Sequence, residues 1–87
     1  MCQVVLHFNE RTGCVCSLDE RGEFVIATLL SDSIINAGDL VVESSSKSGP
    51  VGVFNVTQDE WLTLDVHCRT RSEACARKWL QDRMDKS

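Results

Sequence analysis

The sequence predicts an α+β fold in which a C-terminal amphipathic helix packs on an antiparallel β-sheet of five or six strands. Two observations predict it. Short runs rich in Val, Ile, Leu and Phe recur from the start of the chain, separated by turn signals. The last stretch instead places apolar side chains at helical spacing. With 87 residues the chain has room for one hydrophobic core, so we expect one domain over residues 1–87.

The predicted strands are separated by loops that contain glycine. The segments Asn9–Gly13, Asp19–Gly22 and Asn36–Asp39 each contain a glycine where a hairpin loop favours positive φ. The segment 44–50 has almost no apolar content and ends in Gly-Pro, which predicts a mobile loop. The strands are expected at residues 2–8, 14–18, 23–30, 40–44 and 51–56.

Residues 57–68 carry two conflicting patterns. Thr57 to Glu60 match a capping box, which would start a helix. Four apolar residues nevertheless alternate with polar ones in period two, and a helix would scatter them around its circumference. We therefore predict a turn followed by a strand over about 61–68, with a helix as the alternative. The alternating residues are Leu62, Leu64, Val66 and Cys68.

The final element is predicted as a helix over about residues 71–85. Thr70 to Glu73 form a second capping box. The apolar residues after it recur at steps of three to five, so one face of the helix should dock on the sheet. These residues are Cys75, Ala76, Trp79, Leu80 and Met84.

One helix of this length cannot cover a flat sheet of six strands. The helix would be roughly 21 Å long and the sheet roughly 24–29 Å wide. Three strands, around 4–6, 25–30 and 40–42, are apolar on both alternating sides. We therefore expect either that the sheet curls into a roll or partial barrel, or that a second copy of the chain covers its exposed face in a homodimer.

The charge is divided unevenly along the chain. Residues 1–68 carry a net charge of −7 and residues 69–87 a net charge of +3, which together give the −4 of the whole protein. A protein partner could use this asymmetry, with Trp61, Arg77 and Lys78 as predicted contacts. The alternative is that the basic residues of the helix lie on an ordinary solvated face that binds no partner. Nucleic acid is not expected as the main partner, because a pI near 5.0 lacks a broad basic footprint.

The residues just before the helix predict an anion-binding site. Arg69, Arg71 and Ser72 would place two guanidinium groups near the free N–H groups of the first helical turn. A phosphate or a carboxylate is the expected ligand class. The alternative is that Asp65, Glu73 or solvent satisfies these arginines.

Cysteine and histidine residues provide a weaker hypothesis, a small zinc- or cysteine-dependent enzyme. Cys14, Cys16, His67 and Cys68 supply zinc-ligand types, but His67 and Cys68 are adjacent and should point to opposite faces of a strand. Asp65 and His67 share a strand face and could form a catalytic pair with a cysteine. We predict no catalytic residue, metal or other cofactor, and interpret the cysteines as small buried hydrophobes.

The remaining isolated residues have simple interpretations. His7 alternates with Gln3 and Val5, so it is expected as a half-exposed sheet residue. Trp79 is expected in the core. Core packing is also favoured for Trp61, with an exposed binding anchor as the alternative.

Compartment and function follow at the level of class. The sequence shows no signal peptide and no apolar run long enough to span a bilayer, and its odd number of cysteines is typical of reduced thiols, so we expect a cytoplasmic protein with no membrane partner. The favoured function is a non-catalytic protein-binding or regulatory module that acts as a homodimer. An anion- or small-molecule-binding domain is second and the small enzyme is third.

Overall fold

The protein consists of a six-stranded antiparallel barrel followed by a C-terminal helix. The computed structural model describes residues 2–43 and 49–85, without the side chains of Leu80 and residues 82–85. Most of the predicted loop at 44–50, and the side chains of Leu80 and Met84 in the helix stripe, therefore lie outside the described residues. The elements are β1 (Cys2–Asn9), β2 (Cys14–Asp19), β3 (Phe24–Leu29), β4 (Leu40–Glu43), β5 (Gly49–Asn55), β6 (Glu60–Thr70) and α1 (Glu73–Asp85).

The sheet closes on itself in the order β1-β2-β3-β6-β5-β4. The closing contact is the antiparallel pairing of β1 with β4, in which Gln3 lies opposite Val41. The antiparallel sheet with a C-terminal helix is confirmed, and the sheet curls fully into a barrel. Residues 56–59 form a turn and β6 begins at Glu60, so the strand interpretation of 57–68 is confirmed over the helix alternative.

The first two hairpins turn as their glycines predict. Gly13 has a φ of 75° and donates its N–H to the Asn9 carbonyl at 2.8 Å. Gly22 has a φ of 80° and bonds in the same way to Asp19 at 3.1 Å. A residue with a Cβ is strained at such φ values, so glycine at these positions favours the tight connections between β1, β2 and β3.

Alternation along each strand separates a barrel interior from an outer surface. The interior holds the main apolar cluster, and Ile35, in the loop between β3 and β4, packs into it with only 2% of its surface exposed. Several strands are apolar on both sides, and this cluster contains the side chains on their interior side. Its buried members are Val5, Val15, Val25, Ala27, Ile35, Val41, Val51, Val53, Leu62, Leu64 and Val66.

Helix α1 covers part of the outer surface. It begins after Ser72, whose hydroxyl accepts a hydrogen bond from the Cys75 N–H at 3.2 Å, as an N-cap does. It packs on β3, β2 and the end of β6. The cluster under it contains Cys14, Cys16, Ile26 and Ala76, with Phe24, Cys68 and Trp79 around them.

Two β-bulges determine which face each histidine occupies, and one of them corrects a prediction. In β1, Val5 lies opposite Ser17 and His7 opposite Cys16, so Leu6 is an extra residue. His7 is half-buried but faces outward, away from the interior face of Val5, because a bulge breaks the alternation.

The second bulge lies in β6 and adds His67. Cys68 lies opposite Ile26 and Val66 opposite Ala27, which leaves His67 as the extra residue. His67 shares a hydrogen bond with outward-facing Thr28, and Cys68 packs under α1. Both side chains therefore face outward, and the prediction that they point to opposite faces is wrong.

Candidate functional site

A band of apolar side chains crosses the outer surface of the barrel beyond the area that α1 covers. The strand register places Val4 opposite Leu40, Val42 opposite Phe54, and Phe54 opposite Trp61. These residues alternate with interior ones, so they project outward together. We call this band the outer apolar face, formed by Cys2, Val4, Leu40, Val42, Phe54 and Trp61.

The outer apolar face is exposed and uncharged. Trp61 exposes 68% of its surface, and Leu40 and Val42 expose 39% each. The rings of Trp61 and Phe54 meet edge to face with their centroids 5.2 Å apart, so the tryptophan is supported from one side. The core interpretation of Trp61 is wrong, and its alternative as an exposed aromatic fits the structure.

The absence of charge extends over neighbouring strands. Every outward position of β4 and β5, and of β1 from Cys2 to Leu6, is uncharged. One residue in four of the whole chain is charged. An apolar, uncharged surface with an exposed tryptophan is typical of a protein interface.

A buried polar network crosses the interior of the same barrel. Ser17 donates a hydrogen bond to Gln3 Oε1 at 2.7 Å, and Gln3 Nε2 donates to Glu43 Oε2 at 3.0 Å. The Arg69 guanidinium is ion-paired with Glu43 Oε1. The Glu43 side chain is 2% exposed and that of Arg69 is 13% exposed. These four residues, the interior polar network, link β1, β2, β4 and β6.

This network decides where the predicted anion-site residues lie. Arg69 points into the barrel toward Glu43, while Arg71 is exposed beyond the end of β6. Ser72 caps α1 with its hydroxyl, so that oxygen already accepts a hydrogen bond from the helix. The structure thus brings Ser72 to the helix start as expected but directs the Arg69 charge to an internal partner. Anion binding here stays a prediction.

The predicted partner contacts fall in two separate places. Arg77 and Lys78 are exposed on α1, and Arg77 forms an ion pair of 2.8 Å with Glu73 one turn earlier. Trp61 lies near the start of β6, whereas α1 follows the end of that strand. Trp61 is therefore grouped with the outer apolar face, and Arg77 and Lys78 are not.

The cysteine and histidine residues of the predicted zinc or catalytic site are packed or hydrogen-bonded within the fold. Cys14 and Cys16 are buried under α1, and burial, followed by the neighbouring Cys14 thiol, raises the pKa of Cys16 to about 11. A thiol with such a pKa stays protonated at neutral pH. The ring of His67 is hydrogen-bonded to the Thr28 hydroxyl at 2.6 Å. Within residues 2–43 and 49–85, no three His, Cys, Asp or Glu side chains are grouped so that they could hold a metal ion.

A second buried acid anchors the loop that precedes β4. Asp39 is 4% exposed, and its Oδ2 accepts hydrogen bonds from the Asn36 N–H and Asn55 Nδ2, both at 3.0 Å, and from Gln58 Nε2 at 3.4 Å. Burial alone would raise the pKa of Asp39, but these hydrogen bonds outweigh it and lower that pKa. The ionised carboxylate therefore joins the loop to β5 and the turn after it.

Replacing Asp39 by Asn is expected to destabilise the protein near neutral pH and to matter less in acid. Because the folded-state pKa of Asp39 is lowered, its stabilisation is complete above the ordinary aspartate pKa and is lost as pH falls through the folded value. The gap in unfolding free energy between wild type and D39N, from urea titrations, should thus shrink from pH 7 to about pH 3. The exposed Asp32→Asn is the control, and a gap for D39N that does not change with pH would contradict the assignment.

Comparisons with protein-family models, with curated proteins and with solved structures found no match to this chain. Among the described residues, the helix is too short and too polar to cross a bilayer.

Sequence reasoning named Trp61 but missed the residues beside it. Leu40 and Val42 belong to a predicted strand that is apolar on both sides, and Phe54 lies within the predicted strand 51–56. Their alternation with Val41 and Asn55 was the available signal for an outward face. What the pattern lacked was the register that places them beside Trp61.

Proposed function

We propose that this protein is a non-catalytic protein-binding module that acts as a homodimer through the outer apolar face. The observation that carries the proposal is the exposure of Trp61 at 68% within a surface that has no charged outward position on β4 or β5. Exposed tryptophans in apolar surroundings are the residues that most often dominate binding energy at protein interfaces.

The absence of charge favours a second copy of the chain as the partner. In a two-fold dimer the same surface meets itself, so any charge near the axis would face its own copy. The outer apolar face avoids this cost, whereas the acidic residues that give residues 1–68 their net charge of −7 would repel one another across most other pairings.

Closure of the barrel restricts how the two copies can meet. Where the outer apolar face crosses β1, β4 and β5, these strands are already paired with one another, so a partner cannot extend the sheet there by strand addition. Association must then occur face to face through side chains. The row Val4, Leu40, Val42, Phe54 and Trp61 provides such side chains on adjacent strands.

The test is the mass of the native protein across a range of concentrations. Native mass spectrometry and light scattering should show a species of twice 9.7 kDa. Trp61→Ala should weaken the dimer by about 2 kcal/mol or more, roughly thirty-fold in Kd. Val42→Glu should give a monomer, since it places two carboxylates opposite each other in an apolar interface.

The control is Ile34→Glu, a charge introduced at a position that is 67% exposed and outside the outer apolar face. This variant should remain dimeric, and circular dichroism should show all three variants folded. A wild-type protein that stays monomeric at millimolar concentration, or a V42E variant that dimerises as well as the wild type, would refute the proposal.

A further inference from the structure

Four of the five cysteines lie where α1 meets the barrel. Cys14 and Cys16 are buried there, Cys68 is half-buried near the end of β6, and Cys75 is exposed in the first turn of α1. The pair Cys68 and Cys75 differs from the other two because one of its thiols is accessible to solvent.

The connection between β6 and α1 folds the helix back toward the strand. Only Arg71 and Ser72 separate the two elements. The Thr70 hydroxyl accepts a hydrogen bond from the Ser72 N–H at 3.0 Å, and the Ser72 hydroxyl accepts one from the Cys75 N–H at 3.2 Å. These bonds determine how the first helical turn, including Cys75, follows the last residues of β6.

The orientation of α1 directs Cys75 toward β6. One flank of α1 lines a cleft of about 150 Å³ together with residues of the barrel, so this flank faces β1 and β2. The cleft is lined by Glu73, Ala76 and Arg77 of the helix and by Leu6, His7, Cys16 and Phe24 of the barrel. At 100° per residue, Cys75 and Trp79 lie on the opposite flank. The helix crosses β3, and the strand on the far side of β3 is β6, which carries Cys68.

Two further observations place the thiols near each other. Cys68 packs in the same cluster as Ala76, the residue after Cys75. Burial first, and then the Cys75 thiol and Glu23, raise the pKa of Cys68, which agrees with the placement of Cys75 on the flank of α1 that faces β6.

We propose that Cys68 and Cys75 form a reversible redox-modification site that low-molecular-mass disulfides, such as oxidised glutathione, convert into an intramolecular disulfide. The Cys75 thiolate attacks one sulfur of the glutathione disulfide, the S–S bond breaks, and one glutathione thiolate leaves. The Cys68 thiolate then attacks Cys75 Sγ and displaces the second glutathione thiolate. Two protein thiols are oxidised, one glutathione disulfide is reduced to two thiols, and the leaving thiolates take up the protons.

The disulfide would link α1 covalently to β6. In the reduced protein α1 is held by the N-cap and by the apolar cluster under it. Oxidation would therefore restrict separation of the helix from the barrel and keep Cys14 and Cys16 covered. Because the pKa of Cys68 is raised, the second step should be slower than the first at neutral pH, and the mixed disulfide on Cys75 should appear before the ring closes.

The experiment treats the reduced full chain with oxidised glutathione and follows intact mass, thiol content in denaturant and peptide mapping. Free thiols should fall from the five in the sequence to three, and the peptide map should contain a Cys68–Cys75 link. The Cys68→Ser variant should stop at one glutathione adduct on Cys75. Cys75→Ser should form no disulfide within the chain, and Cys16→Ser, a control that removes a buried thiol outside the pair, should still lose two thiols.

Other outcomes would overturn the proposal. A map that links Cys14 to Cys16, or an intermolecular disulfide between two copies of Cys75, would place the reaction elsewhere. A wild-type protein that retains the adduct on Cys75 without closing the ring would show that Cys68 is not the resolving thiol. Circular dichroism should show that C68S and C75S are folded, so that a missing disulfide in either variant is not caused by unfolding.

Discussion

Replacing Glu43 by Ala is expected to lower the free energy of unfolding by about 3–5 kcal/mol, because it leaves the Arg69 guanidinium inside the barrel without its carboxylate. It also removes the acceptor of the Gln3 amide hydrogen bond. A domain of this size has only on the order of 5–10 kcal/mol of net stability, so the variant should be close to unfolded at 37 °C. Urea unfolding followed by tryptophan fluorescence at fixed protein concentration measures the loss.

A double variant separates the ion pair from the packing around it. Glu43→Leu combined with Arg69→Met replaces both charges by apolar groups, and its stability should lie closer to the wild type than that of E43A. The matched control is Glu60→Ala, which removes an exposed glutamate at the start of β6 and should change the free energy by no more than about 0.5 kcal/mol. A loss below about 1 kcal/mol for E43A would contradict a role for the pair in holding the barrel closed.

Replacing Ile35 by Ala is expected to cost about 2–5 kcal/mol, the usual range for truncating a buried aliphatic side chain. Ile35 lies in a loop, yet only 2% of its surface is exposed and it packs with the barrel interior. Its side chain belongs to the apolar cluster of the barrel interior, so truncation would leave a cavity there. The change should lower the urea midpoint and leave the helix and strand content of the folded protein unaltered.

The adjacent residue provides a matched control for this second prediction. Ile34 is the same residue type one position earlier, with 67% of its surface exposed. Ile34→Ala should alter the free energy of unfolding by no more than about 0.5 kcal/mol. Equal effects of I34A and I35A would mean that the loop does not close the barrel as described.

Much of the secondary structure could be predicted because its signals are local. Turn glycines such as Gly13 and Gly22 mark the hairpins by their backbone freedom alone. The alternation of Leu62, Leu64 and Val66 outweighed the capping box before it, since a strand buries all three side chains on one side. The position of α1 followed from its apolar spacing, whereas its N-cap is Ser72 and not Thr70, the first residue of the predicted capping box.

The two β-bulges show why side-chain direction was harder to predict. Strict alternation places His67 opposite to Cys68, and that expectation failed because one extra residue enters β6. An extra residue in β1 likewise turns His7 away from the face of Val5, although His7 is half-exposed as expected. A bulge depends on the pairing of a strand with its neighbour, so the sequence of one strand does not reveal it.

The candidate site was predicted only in part for the same reason. Trp61 was named as a partner contact from its residue type and surroundings, while Leu40, Val42 and Phe54 were not grouped with it. These residues come from three strands, and only the register brings them together. Arg69 looked available for an anion, but its partner Glu43 is 26 residues away along the chain.

The sequence by itself determined the class of fold, the order of its elements, the sites of its turns and the conclusion that one helix cannot cover strands that are apolar on both sides. Those properties depend on propensity and periodicity, which act over a few residues. The tertiary structure decided that the sheet closes, that Glu43, Arg69 and Ile35 lie inside it, and which apolar side chains remain outside. These outcomes depend on contacts between residues far apart in the chain, whose free energy appears only when the barrel forms around them.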